Sequence, residues 1–331
     1  MGGVALAFTQ NMSKPTHLSL LDRSRTRIGE SDAAALERTI TRARSAESLG
    51  YHRFWVAEHH GVPGIASGSP AVLLAALGAA TDTIRIGSGG VMLPNHAPLV
   101  IAEQFLMLEA LYPGRVDLGV GRTLGFTPGV RRALRTELPA AERFADDLAE
   151  LRSVLAGTAP ITARPAANPP PPVFVLAMQR GLDFAGQAGL PAVVGGSLLR
   201  APDALAQYRD RAGDKSHLII SADIMIAETR ERARQLLLPE AWAMVRSRVT
   251  GEFGPLESVQ SVMSQHPTPA QRAKVEDWLA GAIYGDATEV AAQLEELVAR
   301  TGADEVMSTA STFADPDRDQ ADAALAAMMS P

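Results

Sequence analysis

The 331-residue sequence contains no cysteine, which excludes disulfide bonds, thiolate metal sites and a cysteine nucleophile. It also lacks a long run of one charge: 31 Lys and Arg stand against 37 Asp and Glu, and the net charge is −6. We therefore expect neither nucleic acid nor an anionic membrane surface as the main partner. No stretch reaches the roughly 18 uninterrupted apolar residues of a membrane-spanning helix, so none is predicted.

Residues 1–16 have little of what a secretory signal requires. Their apolar patch is brief, and no basic residue precedes it. We predict that they form a disordered N-terminal extension. The absence of cysteine is compatible with a reducing compartment, and we expect a cytoplasmic protein.

Short apolar runs alternate with longer helical patterns along almost the whole chain. Eight runs are predicted to be strands, at residues 17–22, 53–58, 83–93, 116–121, 173–178, 192–196, 218–228 and 304–309. They are nearly continuously apolar, as parallel strands covered on both faces are. Eight β/α units favour a closed (β/α)8 TIM barrel, an α/β fold, over a doubly wound open sheet.

Two segments depart from the regular unit. Residues 162–172 are dense in proline and predict a stiff, non-helical connection. The region from about 229 to 302 is longer than one crossover helix needs, and it predicts a helical insertion before the last β/α unit. Insertions in barrels lie in loops and commonly cover the mouth. We expect residues 1–331 to form a single domain.

Glu58, His59 and His60 follow the second predicted strand, where the βα loops of a barrel carry reactive groups. Adjacent strand residues point to opposite sides, so two neighbouring histidines are poor ligands for one metal ion, and no metal site is predicted. A histidine with a carboxylate to fix its tautomer suits proton transfer near neutral pH. The alternative is that these residues form hydrogen bonds that close the strand end.

Three further strand ends carry candidate binding residues. Gly89 and Gly90 would let a planar ligand approach the backbone, or else accommodate a bulge or a tight barrel layer. Arg122 can bind phosphate or carboxylate, or can be a solvated loop arginine. Met178, Gln179, Arg180 and Gly181 open the next helix, whose N-terminus is either a phosphate site or an ordinary helix entry.

Together these motifs resemble those of the bacterial-luciferase-like flavin-dependent monooxygenase family. The resemblance lies in "AESLGYHRFWVAEHH", in "TIRIGSGGVMLPNHAPLVIAEQFLMLEALYPGRVDLGVGR" and in "GADEVMST", which follow the family's order. It is strong over about residues 17–160, fair over 173–196 and 286–310, and weak in the insertion. It implies a TIM barrel that binds reduced flavin at the C-terminal mouth, usually as a homodimer.

The resemblance also implies residue roles. The family's active-site histidine and its neighbours match Glu58, His59 and His60, and its non-prolyl cis peptide against the flavin ring matches Gly89–Gly90. Arg122 matches a flavin-phosphate contact. Residues 178–181 depart from the family's serine-rich phosphate loop. Either Arg180 replaces the hydroxyls with a charge-assisted contact, or the phosphate is held weakly, or the ligand has changed.

The function that this resemblance implies is a two-component monooxygenase. A separate reductase would supply reduced FMN, and O2 would form a peroxyflavin that oxygenates a mid-sized apolar substrate in secondary metabolism. Baeyer–Villiger insertion, hydroxylation and epoxidation all remain open. We expect four apolar side chains near the mouth: Phe126, Met178, Trp242 and Met244. The alternatives are a deazaflavin-dependent hydride-transfer enzyme, a non-catalytic flavin-binding paralogue and a metal-dependent barrel hydrolase.

Overall fold

The computed structural model of the protein describes residues 17–136, 138–178 and 180–328. The predicted N-terminal extension and Gln179 therefore lie outside the described residues. The strands are β1 His17–Asp22, β2 Arg53–Val56, β3 Arg85–Ser88, β4 Val91–Met92, β5 Val116–Gly121, β6 Val173–Ala177, β7 Ala192–Gly195, β8 Leu218–Ala222, β9 Ile224–Ile226, β10 Ile283–Gly285 and β11 Glu305–Ser308. The α-helices are α1 Asp32–Ser48, α2 Pro70–Ala80, α3 Pro98–Leu111, α4 Pro128–Ala133, α5 Phe144–Leu155, α6 Arg180–Ala188, α7 Pro202–Ala212, α8 Arg230–Thr250, α9 Val259–Met263, α10 Pro269–Leu279, α11 Ala287–Thr301 and α12 Asp315–Ala327.

Nine strands form one parallel sheet in the order β3-β2-β1-β11-β8-β7-β6-β5-β4. The sheet closes because β3 also pairs with β5, with Ile86 opposite Val116. Since β3 and β4 are two parts of one interrupted strand position, the result is an eight-stranded barrel surrounded by helices. The predicted TIM barrel is confirmed, and the open-sheet alternative is wrong.

Helix boundaries follow the local capping signals. Ser31 caps α1 by accepting the Ala34 N–H, and α2 begins at Pro70, where the missing N–H has no cost. Asp286 and Glu289 form a reciprocal capping box at the start of α11, and Gly302 ends that helix in the left-handed region at φ 63°.

Strand periodicity separates two cores on the two sides of the barrel wall. Phe54 and Val56 of β2 belong to the large core between the strands and the helices. Trp55, between them, belongs to a separate cluster with Phe174, Ile219 and other side chains from β6, β7, β8 and β11. Because alternate strand residues point to opposite faces, this second cluster fills the barrel interior.

Charged side chains close the N-terminal end of the barrel interior. Arg53, the first residue of β2, donates to Asp117 at 2.7 Å and to Glu305 at 2.8 and 3.0 Å. All three residues are buried, and Asp117 also accepts from Arg85. Buried ion pairs thus fill this end of the barrel interior. A ligand would enter from the opposite end, where the strands finish.

The predicted insertion contains helices α8 to α11 but is not purely helical. The predicted strand 218–228 divides after Ala222 into β8 in the barrel and β9, which pairs in parallel with β10. The strand β10 was not predicted, because only three residues, Ile283 to Gly285, separate two helical patterns. The insertion has its own hydrophobic core, which includes Met225, Leu237 and Trp242.

Candidate active site

Glu58 lies just beyond the end of β2, with its side chain almost fully buried. Its Oε2 accepts the backbone N–H of Met92 at 2.9 Å, which fixes the carboxylate. Its Oε1 lies 2.5 Å from His60 Nε2 and 2.7 Å from His96 Nε2. Burial alone would raise the pKa of Glu58, but the hydrogen bonds from the two imidazoles outweigh it and lower the pKa to about 2.

His96 is a site residue that the sequence analysis missed. It follows the third strand position, in the loop before α3, and it shares one carboxylate oxygen with His60. The two rings are 6.4 Å apart and inclined at 52°. The signal was present in "LPNHAP", because β2 and β3 are neighbours and their following loops must be adjacent.

His59 is separated from its neighbour His60. Its ring stacks on Phe126, from the loop after β5, with centroids 5.6 Å apart and an interplanar angle of 15°. Its Nδ1 is buried and has no hydrogen-bond partner among the described residues. Burial first, and then the charges of Arg23 and Arg25, lower the pKa of His59 to about 4. His59 is therefore neutral at pH 7.

The arginines beside His59 are also residues that the sequence analysis did not identify. Arg25 Nε donates to Glu240 Oε2 at 2.8 Å, and Arg23 Nη1 lies 3.3 Å from Glu240 Oε1. Glu240 is fully buried in α8, so this ion cluster joins the insertion to the loop after β1. Arg23 also donates to the Thr309 carbonyl at 3.0 Å, which brings in the loop after β11.

A segment of the insertion lies over the loops after β1 and β2. Gly64 N–H donates to the Phe253 carbonyl at 2.8 Å, and Ile28 N–H donates to the Leu256 carbonyl at 2.9 Å. Arg25 also packs over the Phe253 ring, 4.1 Å from its centroid. The expectation that the insertion covers part of the mouth is met at these contacts.

The peptide bond between Gly89 and Gly90 is cis. It lies between β3 and β4, where the third strand position is interrupted. A Cβ on Gly90 would come within 2.8 Å of a Leu176 methyl and 2.9 Å of the Gly119 carbonyl, and one on Gly89 would overlap Leu21. At Gly90 the nearby backbone of Gly119 requires glycine, whereas a side chain at Gly89 would require only that Leu21 move.

The predicted phosphate-binding residues are only partly arranged for that task. Arg122 follows β5 and has no ion-pair partner within the described residues, and the same is true of the exposed Arg180. Met178 is 74% exposed. The Gly181 N–H is not a free donor, because it bonds to the Met178 carbonyl at 3.0 Å. Gln179 lies outside the described residues.

The four apolar side chains expected near the mouth divide into two pairs. Phe126 is 58% exposed and Met178 is more so, both in loops that follow barrel strands. Trp242 instead packs in the core of the insertion, and Met244 lies on the same helix, α8. Trp242 is thus placed away from the predicted entrance, while Phe126 and Met178 are exposed and available to line it.

Asn95 adds a second unpartnered polar group to the loop that carries His96. Both atoms of its side-chain amide are buried, and neither has a hydrogen-bond partner among the described residues. A buried amide without partners costs free energy that a bound polar ligand or water would recover.

Within the described ranges, no helix has the length and hydropathy needed to cross a membrane.

Residues 16–305 match the luciferase-like monooxygenase family. A luciferase-like monooxygenase of Escherichia coli strain K12 is 36% identical over 317 residues, which cover 91% of this chain and 93% of the relative. An N-acetyl-S-alkylcysteine monooxygenase of Bacillus subtilis is 46% identical over 156 residues, 47% of each chain. The crystal structure of apo-MsnO8 superposes with a TM-score of 0.85 at 28% identity and covers 96% of this chain and 99% of that one.

More distant structures share the fold and differ in cofactor. The oxygenating constituent of 3,6-diketocamphane monooxygenase from Pseudomonas putida, in complex with FMN, has a TM-score of 0.68 at 16% identity and covers 95% of this chain and 97% of that one. A coenzyme F420-dependent tetrahydromethanopterin reductase from Methanopyrus kandleri has a TM-score of 0.70 at 14% identity and covers 95% and 98%. Both the flavin and the deazaflavin thus occur on this scaffold.

Proposed function

The chain belongs to the luciferase-like monooxygenase family, and we propose that within it the protein is a two-component, FMN-dependent monooxygenase. It takes reduced FMN from a separate reductase, uses O2, and oxygenates a mid-sized, largely apolar organic substrate, in the cytoplasm and in secondary metabolism. The observation that carries the proposal is His59: a partly buried, neutral imidazole whose buried Nδ1 has no partner among the described residues, stacked on the exposed Phe126 at the barrel mouth.

The residues at the mouth fit a phosphate-bearing aromatic cofactor. Arg122 and Arg180 are cationic groups without ion-pair partners in the described part of the chain, and we assign them to the phosphate. We assign Met178, Gln179 and Gly181 to the same phosphate site. We assign Gly89 and Gly90, which are joined by the cis peptide bond, to the ring position. Bound reduced FMN supplies the electrons that activate O2 for oxygen transfer.

In the proposed mechanism His59 holds or accepts a proton at Nδ1. A neutral imidazole can take a proton from a reacting group, whereas an imidazolium cannot. Its low pKa makes it a weak base, so the accepted proton is readily released. Without a bound ion, the Glu58 carboxylate forms a hydrogen-bonded group with His60 and His96, whose imidazoles are partly exposed, and we propose that this group exchanges protons with solvent.

The covered side of the mouth would keep water from the reacting atoms. The insertion segment that includes Phe253 and Leu256 closes over the loops after β1 and β2, and the ion cluster on Glu240 holds it there. Excluding water strengthens electrostatic interactions in the site and prevents side reactions.

The homodimer is proposed on the surface of α2 and α3. The helix α2 is apolar throughout, and α3 is mostly apolar but exposes Gln104. The outward apolar side chains are Val72, Ala76, Ala79, Val100, Met107 and Leu111. A largely apolar outer face on two adjacent helices supports association with a second copy of the chain.

The test is an anaerobic titration of the purified protein with reduced FMN and, separately, with reduced F420. The proposal expects saturable binding of reduced FMN, tighter than that of F420, and FMN-dependent oxygenation once air is admitted. N-acetyl-S-alkylcysteine is the first substrate to try, since a relative that matches half the chain is named for it. Preferential binding of F420 would replace the proposal with hydride transfer. Binding without turnover on any substrate would favour a non-catalytic paralogue.

A further inference from the structure

The group formed by Glu58, His60 and His96 has the donor set of a metal centre. Glu58 Oε1, His60 Nε2 and His96 Nε2 all lie within 4.8 Å of one another. They come from two loops after adjacent barrel strands, so the arrangement is fixed by the fold and not by one flexible segment. We propose that these three side chains bind one divalent transition-metal ion of the Zn2+ and Co2+ class.

The chemistry of the ligands favours a transition metal over Mg2+ or Ca2+. Two imidazole nitrogens and one carboxylate oxygen suit Zn2+, Co2+, Ni2+ or Fe2+, whereas Mg2+ and Ca2+ prefer oxygen ligands alone. Three protein ligands leave at least one coordination position for water or substrate. The imidazoles of His60 and His96 are 20% and 28% exposed, which leaves a route for an ion from solvent.

Two of the three distances between ligand atoms require little rearrangement. Ligands about 2.0 to 2.1 Å from a tetrahedral Zn2+ lie about 3.3 Å from one another. The two N···O distances in the structure are 2.5 and 2.7 Å, so each imidazole must move outward by less than about 1 Å, within reach of side-chain rotation. The carboxylate is held by the Met92 N–H through its other oxygen, as outer hydrogen bonds orient ligands in metal sites.

The proposed site departs from the sequence-based expectation of no metal because it uses a different second histidine. That expectation considered the adjacent pair His59 and His60, and the structure indeed directs those two rings to different partners. The second imidazole of the proposed site comes instead from His96, on the neighbouring loop. His59 is therefore a matched control: it is adjacent in sequence but outside the ligand set.

The test measures binding directly and does not depend on the reaction that the protein catalyses. Protein without a histidine tag is dialysed against Co2+, and bound metal is read from visible absorbance and elemental analysis. We expect one equivalent per chain in the wild type and in His59→Ala. We expect His96→Asn and Glu58→Gln each to weaken binding about tenfold or more, since even outer-shell changes cost metal sites this much.

Two results would overturn the proposal. The first is the absence of saturable Co2+ binding by the wild type at concentrations up to about 1 mM. The second is wild-type affinity in both His96→Asn and Glu58→Gln. Circular dichroism of each variant establishes that it is folded, and His60→Asn provides a third ligand variant should one of the others not fold.

Discussion

His59 and His60 are neighbours in the chain and lie in opposite electrostatic surroundings. His59 and His60 are both partly buried. Desolvation and the charges of Arg23 and Arg25 keep His59 neutral, whereas His60 bonds to an anion, Glu58. The difference shows how a barrel gives adjacent residues different surroundings: alternate side chains leave the strand end in different directions, and each meets the charges of a different loop.

The largest expected effect is a loss in the free energy of unfolding when the ion cluster beside His59 is broken. Glu240→Gln removes the buried anion that pairs with Arg23 and Arg25, and breaking a buried pair in this way costs about 3 to 5 kcal/mol. Chemical denaturation measures the loss in the free energy of unfolding. The control is Glu296→Gln, which breaks an exposed pair with Arg300 and should cost about 1 kcal/mol or less. Equal losses in the two variants would show that the Glu240 cluster is not structural.

The contributions of His59 and Glu58 to folding stability should also be lost in different pH ranges. The pKa of His59 is below its unfolded value of 6.5, so its contribution is complete above pH 6.5 and is lost as the pH falls towards 4, by up to about 3 kcal/mol. The pKa of Glu58 is below its unfolded value of 4.5, so its contribution is lost between pH 4.5 and about 2.

Unfolding measured against pH separates these contributions. His59→Gln should flatten the pH dependence between 6.5 and 4, and Glu58→Gln should flatten it only at lower pH. The pKa of His52 is also lowered to about 4, chiefly by burial, so part of the slope should remain in His59→Gln. If the slope above pH 4 is wholly unchanged, His59 is not one of the groups that take up a proton on unfolding.

Turnover should distinguish the two histidines next. If His59 transfers the proton in the proposed reaction, His59→Ala lowers kcat by about 100-fold or more, the usual worth of a general acid or base. His60→Ala should lower it less, because His60 acts through Glu58. Steady-state kinetics with excess reduced FMN measures both. A greater loss of kcat in His60→Ala than in His59→Ala would indicate that His60, and not His59, is the main proton-transfer residue.

The smallest expected effect is a change in the affinity for reduced FMN. Arg122→Ala should weaken binding of reduced FMN by about tenfold, the loss of one charge-assisted hydrogen bond. Arg132→Ala, an arginine of α4 outside the proposed phosphate site, is the control. Anaerobic fluorescence titration gives both dissociation constants, and equal affinities would remove Arg122 from the site.

Much of the fold could be predicted because the strands and helices carry local signals. The runs 17–22 and 116–121 match β1 and β5 at both ends, and helix starts at Pro70 and Pro98 are marked by proline. The split of 218–228 into β8 and β9 could not be read in this way. Both halves are equally apolar, and the break is decided by pairing with β10, a long-range contact.

The site was predictable where its residues adjoin a strand end and unpredictable where they come from elsewhere. Glu58, His59 and His60 stand together after one strand, so the sequence alone could identify them as candidates. Glu240 lies in the middle of α8, directly after Pro239 in the sequence. No local pattern marks it as the partner of two arginines that follow β1. Only the folded chain brings these charges together.

The most direct test of the central claim is the protonation of His59 itself. The protein is labelled with 15N and 13C histidine, its imidazole resonances are assigned with His59→Gln and His60→Gln, and each is followed by NMR from pH 8 to the lowest pH at which the protein stays folded. The account predicts that His59 remains neutral through pH 6.5 and titrates at about 4. A pKa of His59 near the ordinary value of about 6.5 would contradict it.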